Sequence, residues 1–586
     1  MSINLRGNPF YLNEQSVRWV EETFSSLSLD EKIGQLFCPA FSNTEKETVT
    51  HFTDELHVGG MMVRALPADQ IQDTLRIYQE NSKIPMLISA NLESGGDGAV
   101  QEGTSFAMPE GCSATGDVKN GYRLGKVACQ EAAAAGINWG YAPIVDIDRN
   151  YRNPITNIRS FGNDPGMVLE MARGYLRAAS EEGIAPTIKH FPGDGDDERD
   201  QHLLVSVNSL GYEEWLVSYG EIYRTLIAEG VPCVMAGHIA QPAAARHVKP
   251  DISDREAFYP GSLSKPLLTG VLRGELQFNG LIVTDSTLMV GFLQMMPRKK
   301  AVPYCIECGC DMMLFNRSLD EDVRYMKEGY RDGILSEERL NDAVIRILAL
   351  KAFLHLPEKK EKGTLVPGTD LLATVNSDRS KRWVKECADH AVTLVKDNRH
   401  ILPMSPEKTK RVYLNVIENQ VANNTPFALD IKNRLDREGF EVTLREREFD
   451  FDPNIILTGE ITPEAAKVMA EIFANTEEFV SQYDLCMIVL NMETVSNATV
   501  VRVAWKVVYG MGNDIPWYSG EMPLVVVSTA NPYHLLDIPM ADVYVNAYTG
   551  NQATLDAVFE KLMGRSEFKG VSPVDAFCGH EDCRVL

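Results

Sequence analysis

Short, mostly apolar runs recur through the first part of the chain, separated by stretches with helical periodicity. They fall at 35–38, 59–63, 86–91, 137–146, 185–190, 231–238, 281–285 and 311–315. Runs of this length that do not alternate with polar residues suit strands buried on both faces. Between them, 165–182 and 212–229 carry apolar residues at the spacing of a helix packed on one side. Eight buried strands alternating with helices predict an α/β chain whose residues 1–355 form a (β/α)8 barrel. Five of the runs end in a polar or ionisable residue: Asn91, Asp146, Lys189 with His190, His238 and Asp285. Barrel enzymes place their chemistry at the C-terminal ends of strands, so these side chains are expected around one shared pocket.

A charged stretch with Pro and Gly, 356–369 (LPEKKEKGTLVPGT), reads as the start of a linker spanning 356–380. Beyond it a second pattern begins, with apolar runs at 411–417, 442–444, 485–490, 524–528 and 543–547. Helical segments are expected at 425–438 and 463–479. This predicts an open, largely parallel α/β sandwich over 381–586. There is no internal repeat.

Charge narrows the partners. The formal net charge of −25 over 586 residues argues against nucleic acid and anionic membranes, which need a basic face. No run approaches the roughly 18 apolar residues of a membrane span. The first residues show no secretory signal, so a cytoplasmic protein is expected. Eleven cysteines is an odd number and suits reduced thiols. Cys305, Cys308 and Cys310 lie close together, as do Cys578, His580 and Cys583, but neither group has the paired spacing of a zinc site. No metal is expected, and without a Gly-rich phosphate loop after a first strand no nucleotide cofactor either. A homodimer is compatible with the sequence.

Two segments carry candidate chemistry. In the first, 189–202 (KHFPGDGDDERDQH), Pro192, Gly193 and Gly195 prevent an early helix. If its end is extended, Asp200 and His202 point to the same side. Asp200 could then hold one ring nitrogen of His202 and leave the other for proton transfer. A solvated acidic loop with an incidental His fits the spacing equally well. In the second, 280–289 (GLIVTDSTLM), a buried strand would deliver Asp285 to the rim as a nucleophile. An N-cap is the plainer reading of that Asp taken alone.

The ordered set of segments resembles glycoside hydrolase family 3, and within it the bacterial β-N-acetylglucosaminidase branch. The matching pieces are Lys189 to Gly193, the Asp200-Gln201-His202 triplet, Ala142 to Asp146, Arg159 to Pro165, Ser262 to Ser264 and Gly280 to Asp285. In the second part, Val392 to Lys396 and Leu402-Pro403 resemble the opening of the family's sandwich domain. The resemblance implies a retaining glycosidase with Asp285 as nucleophile, His202 as acid/base and Asp200 as its partner. It also implies that Arg159, Lys189 and His190 bind sugar. Asn91, Glu93, Asp146 and His238 join them as expected substrate-binding residues, on the strand-end argument and the altered family motif. That motif, Asp-x-Glu-Gly-Gly-Arg, stands here as Asn91-Leu92-Glu93-Ser94-Gly95-Gly96-Asp97, the His usual after Gly193 is Asp194, and the serine of Asp-x-His is Gln201.

The leading expectation is removal of terminal β-linked N-acetylglucosamine from peptidoglycan- or chitin-derived saccharides. A β-glucosidase or β-xylosidase is the near alternative. Phosphorolysis is a third, because a neutral His repels phosphate less than a carboxylate would. A non-catalytic sugar-binding protein is the alternative from another class, and survival of Asp285, Asp200 and His202 together speaks against it.

Overall fold

The computed structural model describes residues 3–419, 424–445, 463, 466, 475–492, 496–497, 499, 501–503, 505 and 515–586. The chain divides into two compact units. The first holds 1–113, 117–384 and 495–499; the second holds 114–116, 385–494 and 500–586.

In the first unit all eight apolar runs contain strand. They are β1 (Phe37–Cys38), β2 (Gly60–Met62), β3 (Leu87–Ala90), β4 (Trp139–Gly140), β5 (Ala185–Phe191), β6 (Cys233–Ala236), β7 (Leu281–Thr284) and β8 (Met313–Leu314). Strands β2 to β7 form one parallel sheet in chain order, and β1 pairs with β8. Single parallel bridges, Ala40 to Met62 and Val283 to Met312, join the two pieces, so the curled sheet runs around a ring. The run at 137–146 is strand only at its start. Pro143 has no N–H to give the ladder, and pairing resumes as the single bridge Ile144 to Lys189. Met61, Leu87, Ile88, Trp139, Ile188, Val234 and Ile282 fill the interior and are fully or almost fully buried.

Helices cover the sheet. Asp164 caps α2 (Pro165–Glu181) by accepting from Met167 N–H, with Pro165 in the first turn. The buried face of α2 is Val168, Met171, Ala172, Tyr175, Ala178 and Ala179. It packs closely on α1 (Lys119–Ala135), where a Cβ on Gly121 would stand 2.3 Å from the Met171 carbonyl oxygen. The expected linker differs from a free tether. A short helix, Leu356–Glu361, occupies its start and the first unit continues to Val384. The reason lies in hydrogen bonds to the barrel: Lys360 reaches the Ser82 and Lys83 carbonyls, Gln72 donates to Gly368 O, and Asn376 N–H donates to Glu131.

The second unit is a six-stranded sheet of β9 (Thr393–Asp397), β10 (Arg411–Glu418), β11 (Glu441–Leu444), β12 (Leu485–Asn491), β13 (Leu524–Ser528) and β14 (Val543–Asn546). Its order is β9-β14-β13-β12-β10-β11, parallel except for the antiparallel β9–β14 pair. Apolar clusters lie on both faces, one with Val412, Leu414, Ile431 and Leu435, the other with Ile417, Ile488, Val526 and Tyr544. Helix 425–438 is present as Pro426–Arg437. Of the expected helix 463–479, the end lies in Thr476–Gln482; 464–465 and 467–474 lie outside the described residues. All eleven cysteines are free thiols, ten of them buried. Among the described residues no helix is long and apolar enough to cross a membrane.

Candidate active site

Asp146, His190, His238 and Asp285 meet at the C-terminal side of the first unit's sheet, with Lys189 next to His190 in β5. Asp285 follows β7, and its N–H donates to Ala236 O at the end of β6 (2.9 Å). Its Oδ1 accepts from Ser286 N–H (2.7 Å), whereas its buried Oδ2 has no hydrogen-bond partner. That free oxygen lies 3.7 Å from His190 Nε2. Burial works against the Asp285 charge. His190 first, with His202 and the Ser286 N–H, outweighs that effect and holds the carboxyl below its ordinary range. The result is an ionised carboxylate with one unengaged oxygen, which is what attack on an electrophilic carbon requires.

Asp146 is the acceptor that orients His190. Its Oδ2 lies 2.6 Å from His190 Nδ1, and its Oδ1 accepts the His190 main-chain N–H (3.0 Å). A carboxylate on Nδ1 fixes the proton there and turns Nε2 toward Asp285. Asp146 is 1% exposed, so it acts through His190.

Glu93, Arg159 and Lys189 form one cluster. Arg159 binds both Glu93 oxygens in a fork, Nε to Oε2 and Nη2 to Oε1, each at 2.9 Å. Lys189 Nζ lies 2.6 Å from Glu93 Oε1. Burial alone would raise the Glu93 carboxyl; the charges of Arg159 and Lys189 reverse this and push it well below the usual range. Asn91, at the end of β3, is exposed. Close approach requires glycine in and just after the altered stretch: Gly95 adopts φ 152° with its Cβ position 2.0 Å from the Thr104 carbonyl oxygen, and a Cβ on Gly98 would sit 1.7 Å from the Asn91 carbonyl oxygen.

The loop after β5 brings Asp200 and His202 together, but in a turn closed by Leu203 N–H on Asp200 O (3.0 Å) and not in the extended run considered from sequence. His202 Nδ1 lies 2.7 Å from Asp200 Oδ1, which also accepts the His202 N–H (2.8 Å). Asp200 is 2% exposed and His202 half-buried. Burial opposes the Asp200 charge, and the His202 contacts outweigh it, so its carboxyl is lowered. Asp200 Oδ2 accepts from the N–H of Asn497, from the short 495–499 piece of the first unit (2.7 Å). Val290 N–H donates to His202 O (2.9 Å), tying this loop to the segment after Asp285. With Nδ1 held by Asp200, Nε2 is the nitrogen left to move a proton.

His238 is placed differently from a substrate-binding arm. It is fully buried, with Nε2 2.9 Å from Ser286 O and Nδ1 2.8 Å from Ser262 Oγ. Burial lowers its imidazolium, so the neutral ring donates from Nε2 and accepts from Ser262. It therefore shapes the turn that carries Asp285. Sequence reasoning missed Ser262, Ser286 and Asn497 as parts of the site. Asn497 lies 297 positions from Asp200 and has no local signal. Asp194 and Gln201 stood out only as departures from the family pattern. Among the described residues no group of three or more His, Cys, Asp or Glu could hold a metal ion.

Comparison with known proteins gives a consistent picture. The Glycosyl hydrolase family 3 N terminal domain matches residues 28–350. A Cellulomonas fimi protein named beta-N-acetylglucosaminidase/beta-glucosidase is 40% identical over 586 residues, which is 100% of both chains. Beta-hexosaminidase A of Pseudoalteromonas piscicida is 26% identical over 63% of this chain and 64% of its own. A solved structure named beta-glucoside phosphorylase BglX superposes with TM-score 0.90 at 41% identity, over 99% of each chain.

Proposed function

The chain belongs to glycosyl hydrolase family 3, and from that premise we propose that it cleaves terminal β-linked N-acetylglucosamine from small saccharides with retention of configuration. The observation that supports this best is the free Oδ2 of Asp285, in one unit with the Asp200–His202 pair. Asp285 attacks the anomeric carbon while His202 Nε2 protonates the departing oxygen. His202 then takes the proton from the acceptor that releases the sugar. Retaining enzymes usually divide this work between two carboxylates. Here the second is replaced by an imidazole whose proton position Asp200 fixes. Glu93, Arg159, Lys189, His190 and Asn91 face the sugar, with the buried Asp146 and His238 holding His190 and Ser286.

The C. fimi relative's name carries both an N-acetylglucosaminide and a glucoside. We therefore take β-glucosides as slower substrates of the same site. A second reading concerns the acceptor. The 41% identical solved structure is named a phosphorylase, and a neutral His202 would admit a phosphate dianion more readily than a carboxylate would.

The test is a panel of aryl β-glycosides (N-acetylglucosaminide, glucoside, xyloside) assayed with and without phosphate, with product configuration read by NMR. The N-acetylglucosaminide should be fastest and the product should keep the substrate's configuration. Release of a sugar 1-phosphate would make phosphate the acceptor. An inverted product would end the retaining assignment.

A further inference from the structure

Behind the reacting groups runs a hydrogen-bonded chain, and two of its members touch neither substrate nor reacting atoms. Asp194 and Gln201 are 2% and 1% exposed. The Asp194 main-chain N–H donates to Asp146 Oδ1 (2.8 Å), the oxygen that also receives the His190 N–H. Asp194 Oδ1 accepts from Gly195 N–H (2.8 Å) and Asn153 Nδ2 (3.2 Å), and Oδ2 accepts from Gln201 Nε2 (3.3 Å). The other end of the Gln201 amide accepts the His238 N–H (2.7 Å), and His238 Nε2 donates to the carbonyl of Ser286, next to Asp285. In sequence Gln201 stands between Asp200 and His202. Its side chain thus ties the acid/base loop to the strand ends that carry His190 and Asp285.

We propose that Asp194 and Gln201 are positioning residues that set the Asp200–His202 pair relative to Asp285. The proposal rests on His202 being the acid/base. A loop with Gly193 and Gly195 in left-handed backbone, φ 119° and 103°, has no regular ladder to hold an imidazole in place. The side-chain chain supplies that hold, and proton transfer is sensitive to it, because misplacement by about 1 Å costs on the order of 10²-fold. The groups facing Asp194 are the carboxylates of Asp146 and Asp200, the amides of Asn153 and Gln201, the Ser206 hydroxyl, and Tyr219, whose hydroxyl donates to the Asp194 carbonyl. Burial, and after it the charge of Asp146, push the Asp194 carboxyl up to about 8. Gly195 N–H, Asn153 Nδ2 and Gln201 Nε2 all donate to the carboxyl, so an Asn amide at 194 would set its own N–H₂ against one of these donors.

The experiment compares phenyl and 2,4-dinitrophenyl β-glycosides of the same sugar, with the glycosylation step followed in the pre-steady state. Asp194→Ala and Gln201→Ala should each lose about 10- to 100-fold on the phenyl glycoside and under about threefold on the dinitrophenyl glycoside, which barely needs an acid. The double variant should lose less than the product of the two single losses, since the two side chains share the hydrogen bond from Gln201 Nε2 to Asp194 Oδ2. Asp194→Asn, whose amide would face Gln201 Nε2 or Asn153 Nδ2 donor to donor, should fall with Asp194→Ala on the phenyl glycoside. A mere loss of folded protein lowers both substrates equally. Equal losses, a multiplicative double variant or an Asp194→Asn that keeps the parent rate on the phenyl glycoside would overturn the proposal. If Asp194→Ala does not fold, Gln201→Ala decides by the same split. His202→Ala separates the two layers. If His202→Ala shows no leaving-group split, the acid/base reading has failed; if it does and Gln201→Ala does not, only the positioning inference has failed.

Discussion

At the scale of single residues, the proposed mechanism divides the work between a carboxylate that attacks, Asp285, and an imidazole that moves protons, His202. His202→Ala should lose about 10²- to 10⁴-fold on a natural disaccharide, the usual worth of general acid/base catalysis. On an activated aryl glycoside it should instead show a burst and be rescued by azide, which needs no deprotonation. Asp200→Asn should give a milder version, because the ring stays but its proton is no longer fixed. Glu93 makes a separate prediction. It neutralises Arg159 and Lys189 in a cluster that is largely buried. Glu93→Gln leaves those cations short of an acceptor, at about 1–3 kcal/mol, so KM for the sugar should rise roughly ten- to hundredfold. Steady-state kinetics check it; an unchanged KM with reduced kcat would place Glu93 in the chemical step instead.

At the scale of elements, the strands bring the chemistry together and the helices hold the strands. The contact of α1 with α2 depends on Gly121 and Gly125, where a Cβ would meet Met171 and Tyr175 backbone atoms at 2.3 and 2.9 Å. Gly121→Ala should force the helices apart at a cost of about 1–3 kcal/mol, the usual range for overpacking. The thermal midpoint should fall while activity at 25 °C persists; an unchanged midpoint would mean the contact relaxes freely. The eight barrel strands were legible because strands buried on both faces are apolar throughout, as 281–284 and 233–236 are. Their ends were legible for the same reason, since Asp285 and His190 interrupt apolar runs. The order of pairing at β11 was harder to read: its burial alternates between exposed and half-buried, so the run 442–444 carries little signal. The 356–369 stretch misled because composition reports solvation, not the long-range hydrogen bonds of Lys360 and Gly368. In the site, the spacing allowed the Asp200–His202 contact without deciding it, and a turn makes it. The fixed roles of His238 and Asn497 do not follow from spacing, because each depends on a backbone partner distant in sequence.

At the scale of the whole molecule, buried ionisable groups make stability depend on pH in opposite directions. Lys351 is fully buried, its Nζ 2.6 Å from Gln35 Oε1. Burial, and then the charge of Lys360, lower its ammonium to about 7, against about 10.4 in an unfolded chain. Between these values the unfolded state binds a proton that the folded state lacks, so this group's contribution to stability rises with pH from 7 to 10. Asp194 acts the other way. Its folded carboxyl titrates at about 8 and its unfolded one near about 3.9, so between them only the folded state holds the proton and stability falls as pH rises. Lys351→Met should therefore raise the thermal midpoint more at pH 6 than at pH 9 relative to the parent. A pH-independent difference would show that Lys351 is charged in the folded state throughout.

The central claim is that Asp285 becomes covalently bound to sugar. Its direct measurement is peptide mass mapping after incubation with a 2,4-dinitrophenyl 2-deoxy-2-fluoro-β-glucoside, whose fluorine slows release of the enzyme-bound sugar. The account predicts a fluoroglucosyl adduct on the peptide containing Asp285, absent from Asp285→Asn. An adduct on another residue, or turnover by Asp285→Asn at the parent rate, would contradict it.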